Sequence, residues 1–532
     1  MEASMPVTIK RKDIRFDPDP KRVIARYFLP GGAERAVTLI HRIIKLSDKD
    51  VQETLNQVLR KFCNRHRNIT RIFERNFEQL NEDIEKFLLS TSTENSNRWL
   101  AIQNMLDKMN THSGEACINR KLLIGSYFTM EYSIECSAFF NPSIVEDPDQ
   151  SNLMEKGQKR IIVSFRGTGE GHISSIVFRG GIIDKDNNLT FESVGRLLEK
   201  PDIIKRHQYN KSTFLKKIEQ MHTRKTMSGK EYESYLEIVH KTEQTIMEPL
   251  KDKFTYGDLQ ASIAEAMKRP DITKAARSVI DSINWLADSH YEITFSMDTS
   301  ISERVIFPIS YSESNGIEDA RFVRFEDDDG NIIYYATYTA YNGHTVLPKL
   351  LSTKDFLHFK VMPLNGQYAQ NKGMALFPRK LKGKYAMLSR HDGINSYVMY
   401  SDKINLWQNA KRIKITPQPW EFVQMGNSGS PIEIKDVGWL ALTHGVGPMR
   451  QYFISAVLLD LNDPTKVLGH LKEPLLIPNE KEREGYVPNV VYSCGFILHN
   501  NELIIPYGMA DYATSFACVP LDELLDELRK RG

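Results

Sequence analysis

From Glu292 onward the chain is punctuated by tight-turn dipeptides, Asp329-Gly330, Lys382-Gly383, Val437-Gly438 and Asn500-Asn501, each flanked by runs rich in β-branched and aromatic residues. They recur roughly every 55 to 65 residues, close to the repeat of four-stranded propeller blades. A chain built this way is expected to fold as successive antiparallel sheets. The stretch "RIIVSFRGTGEGHISSIVFRGGII", starting at Arg160, alternates in the same way around a glycine-containing loop and supplies one more sheet. The fold class that fits is mainly β: a five-bladed β-propeller whose first blade is interrupted by a helical insertion.

Two regions depart from alternation. After Ser47 and "DKD", a good N-terminal cap, apolar residues recur at helical spacing as Val51, Leu55, Val58, Leu59 and Phe62, then Ile69, Ile72, Phe73, Phe77 and Leu80. The intervening "RKFCNRHRNITRIFER" mixes basic and aromatic residues, but its charges lie between core-facing positions and read as a solvated helix face. The second region includes "STFLKKIEQMH", "EYESYLEIVHKTEQTIMEPL" and "ARSVIDSINWLADSH". The expected organisation is a helical N-terminal region over 1–125 and a propeller domain over 126–525, interrupted by a helical insertion at 192–290, with a tail at 526–532. The helical segments are expected either to cover the acceptor side of a site or to join copies of the chain in a homo-oligomer.

Of the 532 residues, 41% are hydrophobic and 26% charged, and the net charge is +2, which argues against a chain devoted to coating nucleic acid or anionic membrane. The basic start lacks the apolar core of a signal peptide, and no run approaches the ~18 apolar residues of a membrane span, so a cytoplasmic location is expected. Five scattered cysteines without a C-x-x-C pair read as buried thiols, and no metal-ligand cluster is visible.

The run "QMGNSGSPIEI", Gln424 to Ile434, is one letter from the loop that carries the serine nucleophile of trypsin-like proteases. That chemistry needs a histidine and a carboxylate upstream of Ser428. The histidine nearby, His444 in "ALTHGVGP", comes after it, so the small residues are read instead as letting backbone approach a bound ligand. In "NGIEDARFVRF", Glu318, Asp319, Arg321 and Arg324 crowd together, as an ion pair or a tuned acid would require.

With these runs in order, the chain from about Phe139 to about Leu525, the insertion apart, resembles glycoside hydrolase family 130, the mannoside phosphorylases and mannosidases built on a five-bladed propeller. "FFNPSIV", with Asn141, resembles the early N-P segment, and "IIVSFRGTGEGHISS" the strand ending in a sugar-binding arginine, here Arg166. "GIEDARF" resembles G-x-E-D-P-R, with Ala320 in place of proline, which makes Asp319 the implied catalytic acid. "NKGMALFPRKLKGKYAMLSRHDG" places Lys372 and Arg390 at two phosphate-binding positions, and "VGWLALTHGVG" adds His444. "LIIPYGMADYAT" implies that Asp511 contacts the terminal sugar, and the resemblance also puts Tyr341 among the substrate contacts. Where many members carry a third phosphate-binding lysine, this chain has Gln424, which can donate a hydrogen bond but contributes no charge.

An inverting hydrolase needs a second carboxylate to activate water, whereas phosphate is already a nucleophile and needs cations to hold it. The resemblance therefore implies a phosphorylase that acts on a β-manno-oligosaccharide with inorganic phosphate as co-substrate, no other cofactor and no metal. The products would be α-mannose 1-phosphate and a shortened acceptor. The alternatives are an exo-acting β-mannosidase of the same fold and a non-catalytic glycan-binding propeller. Trp285 and Trp420 are candidate stacking platforms that also fit a core role.

Overall fold

The computed structural model describes residues 7–31, 33–90, 94–110, 114–204, 208–222, 229–269 and 272–530. Two compact units are distinguished, one of 20–134 with 195–199 and the other of the remaining chain.

The larger unit is mainly β and holds five antiparallel sheets of four to six strands. The first contains Ala138–Glu146, Lys159–Thr168 and Ser174–Ile183, and the second Ile317–Glu326, Ile332–Tyr341, Val346–Thr353 and His358–Pro363. The third runs from Ala375–Leu376 to Asn409–Arg412, and the fourth from Gln424–Asn427 to Val467–His470. The fifth joins Val491–Tyr492, Glu502–Met509 and Ala513–Pro520 to Lys10–Phe16. The recurring turns precede the second long strand of successive sheets: Gly330 (φ 80°), Lys382 and Gly383 (51° and 75°), and Asn500 and Asn501 (41° and 61°) all take the left-handed backbone that such hairpins need. In the fourth sheet that conformation falls on Asp436, one residue before the expected pair.

Strands such as Gly438–Val446 are buried along their whole length because each sheet is covered on both faces. Phe178 of the first sheet packs with Phe322 of the second, Val323 with Met387 of the third, Phe377 with Trp439 of the fourth, and Leu440 with Leu503 of the fifth. Phe516 of the fifth sheet and Phe139 and Phe165 of the first gather around Phe16, closing the succession.

The region expected to be helical from 1 to 125 begins with strands, because "KRKDIRF" alternates: Lys10–Phe16 is an edge of the fifth sheet and Val23–Tyr27 pairs with Thr129–Ser133. Helices then follow from Ala33–Ile44 to Glu115–Tyr127. Ser47 caps Asp48–Phe62 by accepting from the Asp50 N–H, and Val51, Leu55, Phe73 and Phe77 are buried as their spacing implies. In the basic stretch, Arg65 and His66 pair with Glu131. Within 192–290 the helices Lys211–His222, Lys230–Met247, Tyr256–Met267 and Lys274–Asp288 are flanked by Asp202–Ile204 and Tyr291–Thr294, which pair with each other in the second sheet. The expected boundary at 525 cuts the helix Leu521–Arg529, whose Leu524, Leu525 and Leu528 are buried at i+3, i+4 and i+7 from the buried Leu521.

One buried charge pair supports the strand that carries Asp319. Glu313 and Lys349 are both fully buried, 2.7 Å apart, and Glu313 also accepts from the hydroxyls of Tyr291 and Tyr338 at 2.9 and 2.7 Å. The Gly316 N–H donates to the Glu313 carbonyl at 2.7 Å, so this turn launches Ile317–Glu326. Lys349→Met should cost about 3–5 kcal/mol, because it strands the Glu313 charge. Urea-unfolding midpoints check this, and the double variant Lys349→Met/Glu313→Leu should recover much of the loss.

Candidate active site

The strands place three side chains by leaving regular geometry. Asn141 (φ 49°) and Asp319 (φ 54°) adopt left-handed backbone where the pairing register shifts, between Phe140 and Ser143 and between Glu318 and Arg321. Such bulges re-aim a side chain, and Asn and Asp tolerate the conformation better than most residues. Asn141 Nδ2 donates to Asp319 Oδ1 at 2.7 Å. Asp511 (φ 49°) sits in the turn after Glu502–Met509, where a Cβ on Gly508 would come within 2.9 Å of the Asn141 nitrogen, so this glycine permits the approach.

Cations surround the Asp319 carboxylate. Arg166 donates to Glu318 Oε1 at 3.0 Å and to Asp319 Oδ1 at 3.5 Å, and Lys372 Nζ donates to Glu318 Oε2 at 2.5 Å. Glu318 thus bridges Arg166 to Lys372. Arg321 lies behind, donating to the Tyr492 hydroxyl at 2.6 Å. Burial works against the Asp319 charge, but Arg166, Arg321, the Asn141 amide and Lys372 together hold its carboxyl below the usual range. Asp511 is pushed the other way, up to about 6, by burial and by the neighbouring Asp319 charge. Arg390 has a buried Nη1 with no hydrogen-bond partner among the described residues, and burial lowers its pKa.

His444 Nδ1 lies 3.1 Å from the Asn427 carbonyl and Nε2 lies 3.3 Å from Gln424 Nε2. The carbonyl requires Nδ1 to carry the proton, so Nε2 accepts from the Gln424 amide and the ring offers the cavity no N–H. A Cβ on Gly426 would lie 2.6 Å from this ring, and one on Gly429 2.6 Å from the Cys494 carbonyl. The small residues of "QMGNSGSP" therefore make room for His444 and for neighbouring backbone. Only Gly426 and Asn427 of that loop share the cavity with Gln424. Ser428 is fully buried and its Oγ has no partner among the described residues, which leaves it without an activating base.

A cavity of about 280 Å³ collects Asn141, Arg166, Asp319, Lys372, Arg390, Gln424, His444 and Asp511. Tyr341 is not among its lining residues; its hydroxyl donates to the Gly343 carbonyl at 2.8 Å. Arg324 is also elsewhere, pairing with Glu326 and Glu146. Trp420 donates to the Lys472 carbonyl and packs on Phe453, away from the cavity. Arg450, Tyr452 and Tyr492 line the cavity and were missed. A signal for Arg450 exists: "GTGEGHI" and "GVGPMRQ" form the same loop, with Gly169 at φ −107°, ψ −156° and Gly447 at φ −113°, ψ −158°, and His172 and Arg450 both left-handed.

The comparisons with known proteins accord with this arrangement. The family model of glycoside hydrolase family 130, described as beta-1,4-mannooligosaccharide phosphorylase, matches residues 281–530. A 1,2-beta-oligomannan phosphorylase of Thermoanaerobacter sp. (strain X514) is 36% identical over 219 residues, 40% of this chain and 71% of that protein. A beta-1,2-mannobiose phosphorylase of the same strain is 32% identical over 225 residues, 40% of this chain and 69% of that one. Among solved structures, a beta-1,2-mannobiose phosphorylase from Listeria innocua aligns with 75% of this chain and 94% of its own, at 22% identity and a TM-score of 0.43. The chain belongs to glycoside hydrolase family 130.

Burial pushes the His444 pKa down to about 3, with Arg390 and Arg321 adding to the effect. The unfolded chain binds a proton at this position below about pH 6.5, so the contribution to stability is complete above that pH and is lost as pH falls toward 3. At about pH 5 the loss is about 2 kcal/mol. His444→Gln, which does not titrate, should reduce the shift in urea midpoint between about pH 7 and pH 5; an unchanged shift would mean that His444 is not held neutral.

Proposed function

We propose that the chain catalyses inverting phosphorolysis of β-mannosides, releasing α-mannose 1-phosphate and a shortened acceptor, on a propeller whose blades are the five successive sheets. The observation that carries this reading is the presence in a single cavity of one acid, Asp319, and of Arg390, whose buried Nη1 has no hydrogen-bond partner among the described residues. The names of the relatives favour β-1,2-linked substrates.

In this scheme Asn141, Arg166 and Asp511 hold the terminal mannose, and Asp319 gives the proton that the leaving oxygen needs. An incoming phosphate brings negative charge into the cavity that holds Asp319, which raises the proton affinity of the acid. Lys372 is engaged by Glu318, which leaves Arg390 as the principal positive contact. Gln424, fixed by His444, keeps its second amide N–H for a neutral contact, and Arg450, Tyr452 and Tyr492 complete the wall. No metal or cofactor other than phosphate enters this scheme. Five free thiols suit a cytoplasmic location.

An exo-β-mannosidase would need a second carboxylate to activate water, and Asp511, raised to about 6, is the group in the cavity that would take that part. Product analysis on β-1,2-mannobiose separates the two: mannose 1-phosphate that forms only with phosphate supports phosphorolysis, and free mannose at a phosphate-independent rate overturns it. Asp319→Asn should lower turnover roughly 100-fold or more with the fold intact. Arg390→Ala should reduce phosphate-dependent efficiency by roughly 10- to 150-fold while leaving mannoside binding largely unchanged.

A further inference from the structure

A second cavity, of about 450 Å³, lies between the helical insertion and the second sheet. One wall is a single face of Lys274–Asp288, where Ser278, Asp281 and Trp285 stand at helical spacing. The opposite face of that helix, with Val279, Ile280, Ile283 and Leu286, is buried in the insertion's core, against which Trp285 packs in part while it also lines the cavity. Across from it are Tyr311, which is 63% exposed, and Asn342, whose side-chain oxygen takes the N–H groups of His344 and Thr345. No partner is seen for its Nδ2 among the described residues. Ala369 and Gln370 form part of the remaining wall, with the apolar Met221, Val346, Leu347 and Pro348.

Gln370 lies two residues before Lys372, so the Cα atoms on the two sides of this loop are within about 7.6 Å. On its far side Lys372 and Gly373 line the cavity that holds Asp319. One loop therefore contributes residues to both cavities, which adjoin at it. Two aromatic and several aliphatic side chains, set beside hydroxyl, carboxylate and amide groups, form a lining that suits a sugar, which offers apolar C–H faces and a ring of hydroxyls.

We propose that this cavity is a distal carbohydrate site that holds the acceptor end of a β-manno-oligosaccharide whose terminal mannose occupies the Asp319 cavity, making longer chains the preferred substrates. The proposal rests on the mannoside reading above. Tyr311 and Asp281 belong to neither the catalytic cavity nor a hydrophobic core, so their replacement should leave reaction of the disaccharide unchanged.

The test compares β-1,2-mannobiose with β-1,2-mannotetraose as substrates of the full chain. The wild-type KM should be lower for the tetraose, and Tyr311→Ala should raise the tetraose KM about 10-fold with the disaccharide kcat and KM unchanged. Asp281→Ala should act in the same direction. Equal length dependence in wild type and both variants overturns the proposal, as does an equal loss for both substrates. Calorimetry with β-1,2-mannotetraose in phosphate-free buffer keeps the two readings apart. Binding weakened by Tyr311→Ala supports the distal site even where no turnover is seen, whereas absent binding, or binding identical in both proteins, rejects it.

Discussion

The Asp319 carboxylate is the negative centre that the surrounding groups are arranged to hold. Taking it out of water is costly unless opposite charge and hydrogen bonds replace the solvent, and Arg166, Arg321 and the Asn141 amide do so. Burial, with repulsion from neighbouring cations added to it, lowers the proton affinity of Arg390 and keeps His444 neutral. A site of this kind is over-supplied with positive charge until an anion enters. Glu318 draws off part of the excess by engaging both Arg166 and Lys372. Asp511 meets the reverse condition: burial, and then the Asp319 charge, makes it hold its proton more tightly.

Flat, regular strands would not deliver these groups. Alternation sends successive side chains to opposite faces, where they are covered by the next sheet. Asn141 and Asp319 escape that rule through bulges in the first strands of their sheets, and Asp511 through a left-handed turn. The support is correspondingly stiff. The turn before Asp319 is tied to Glu313, and Glu313 to Lys349, Tyr291 and Tyr338, so the strand enters the site from a fully buried polar anchor. Glycines serve as spacers where backbone or rings meet, as Gly426 does for His444 and Gly508 for Asn141.

Much of this was legible in sequence because it is carried by local chemistry. The turn dipeptides marked the sheets, and the ordered runs around Asn141, Arg166, Asp319, Lys372, Arg390, Gln424, His444 and Asp511 named residues that gather in one cavity. What escaped depends on pairing between distant segments. Nothing in "KRKDIRF" says that it lies beside Ala513–Pro520, and nothing near Tyr492 says that Arg321 will hold its hydroxyl. Nothing around Lys372 in the sequence says that Glu318 will engage its ammonium. Tyr341 failed for a related reason: its hydroxyl is satisfied two residues away by Gly343. Trp285 faces a cavity that exists only because the insertion folds back toward the second sheet.

The pairing of Lys10–Phe16 with Ala513–Pro520 has a consequence for how the molecule is made. Cys518 is the register partner of Lys10, and the Ile14 carbonyl accepts from the Ser515 hydroxyl, a separation of 501 residues in the chain. Lys10–Phe16 is synthesised about 500 residues before the strand that it pairs with. Until Ala513–Pro520 is made, the fifth sheet lacks its middle and Phe16 has no Phe516 to pack on. Such long-range pairing slows the final step of folding. It also means that a ribosome stalled short of residue 513 leaves a nascent chain with two uncovered β surfaces, a natural substrate for chaperones and for quality-control proteolysis.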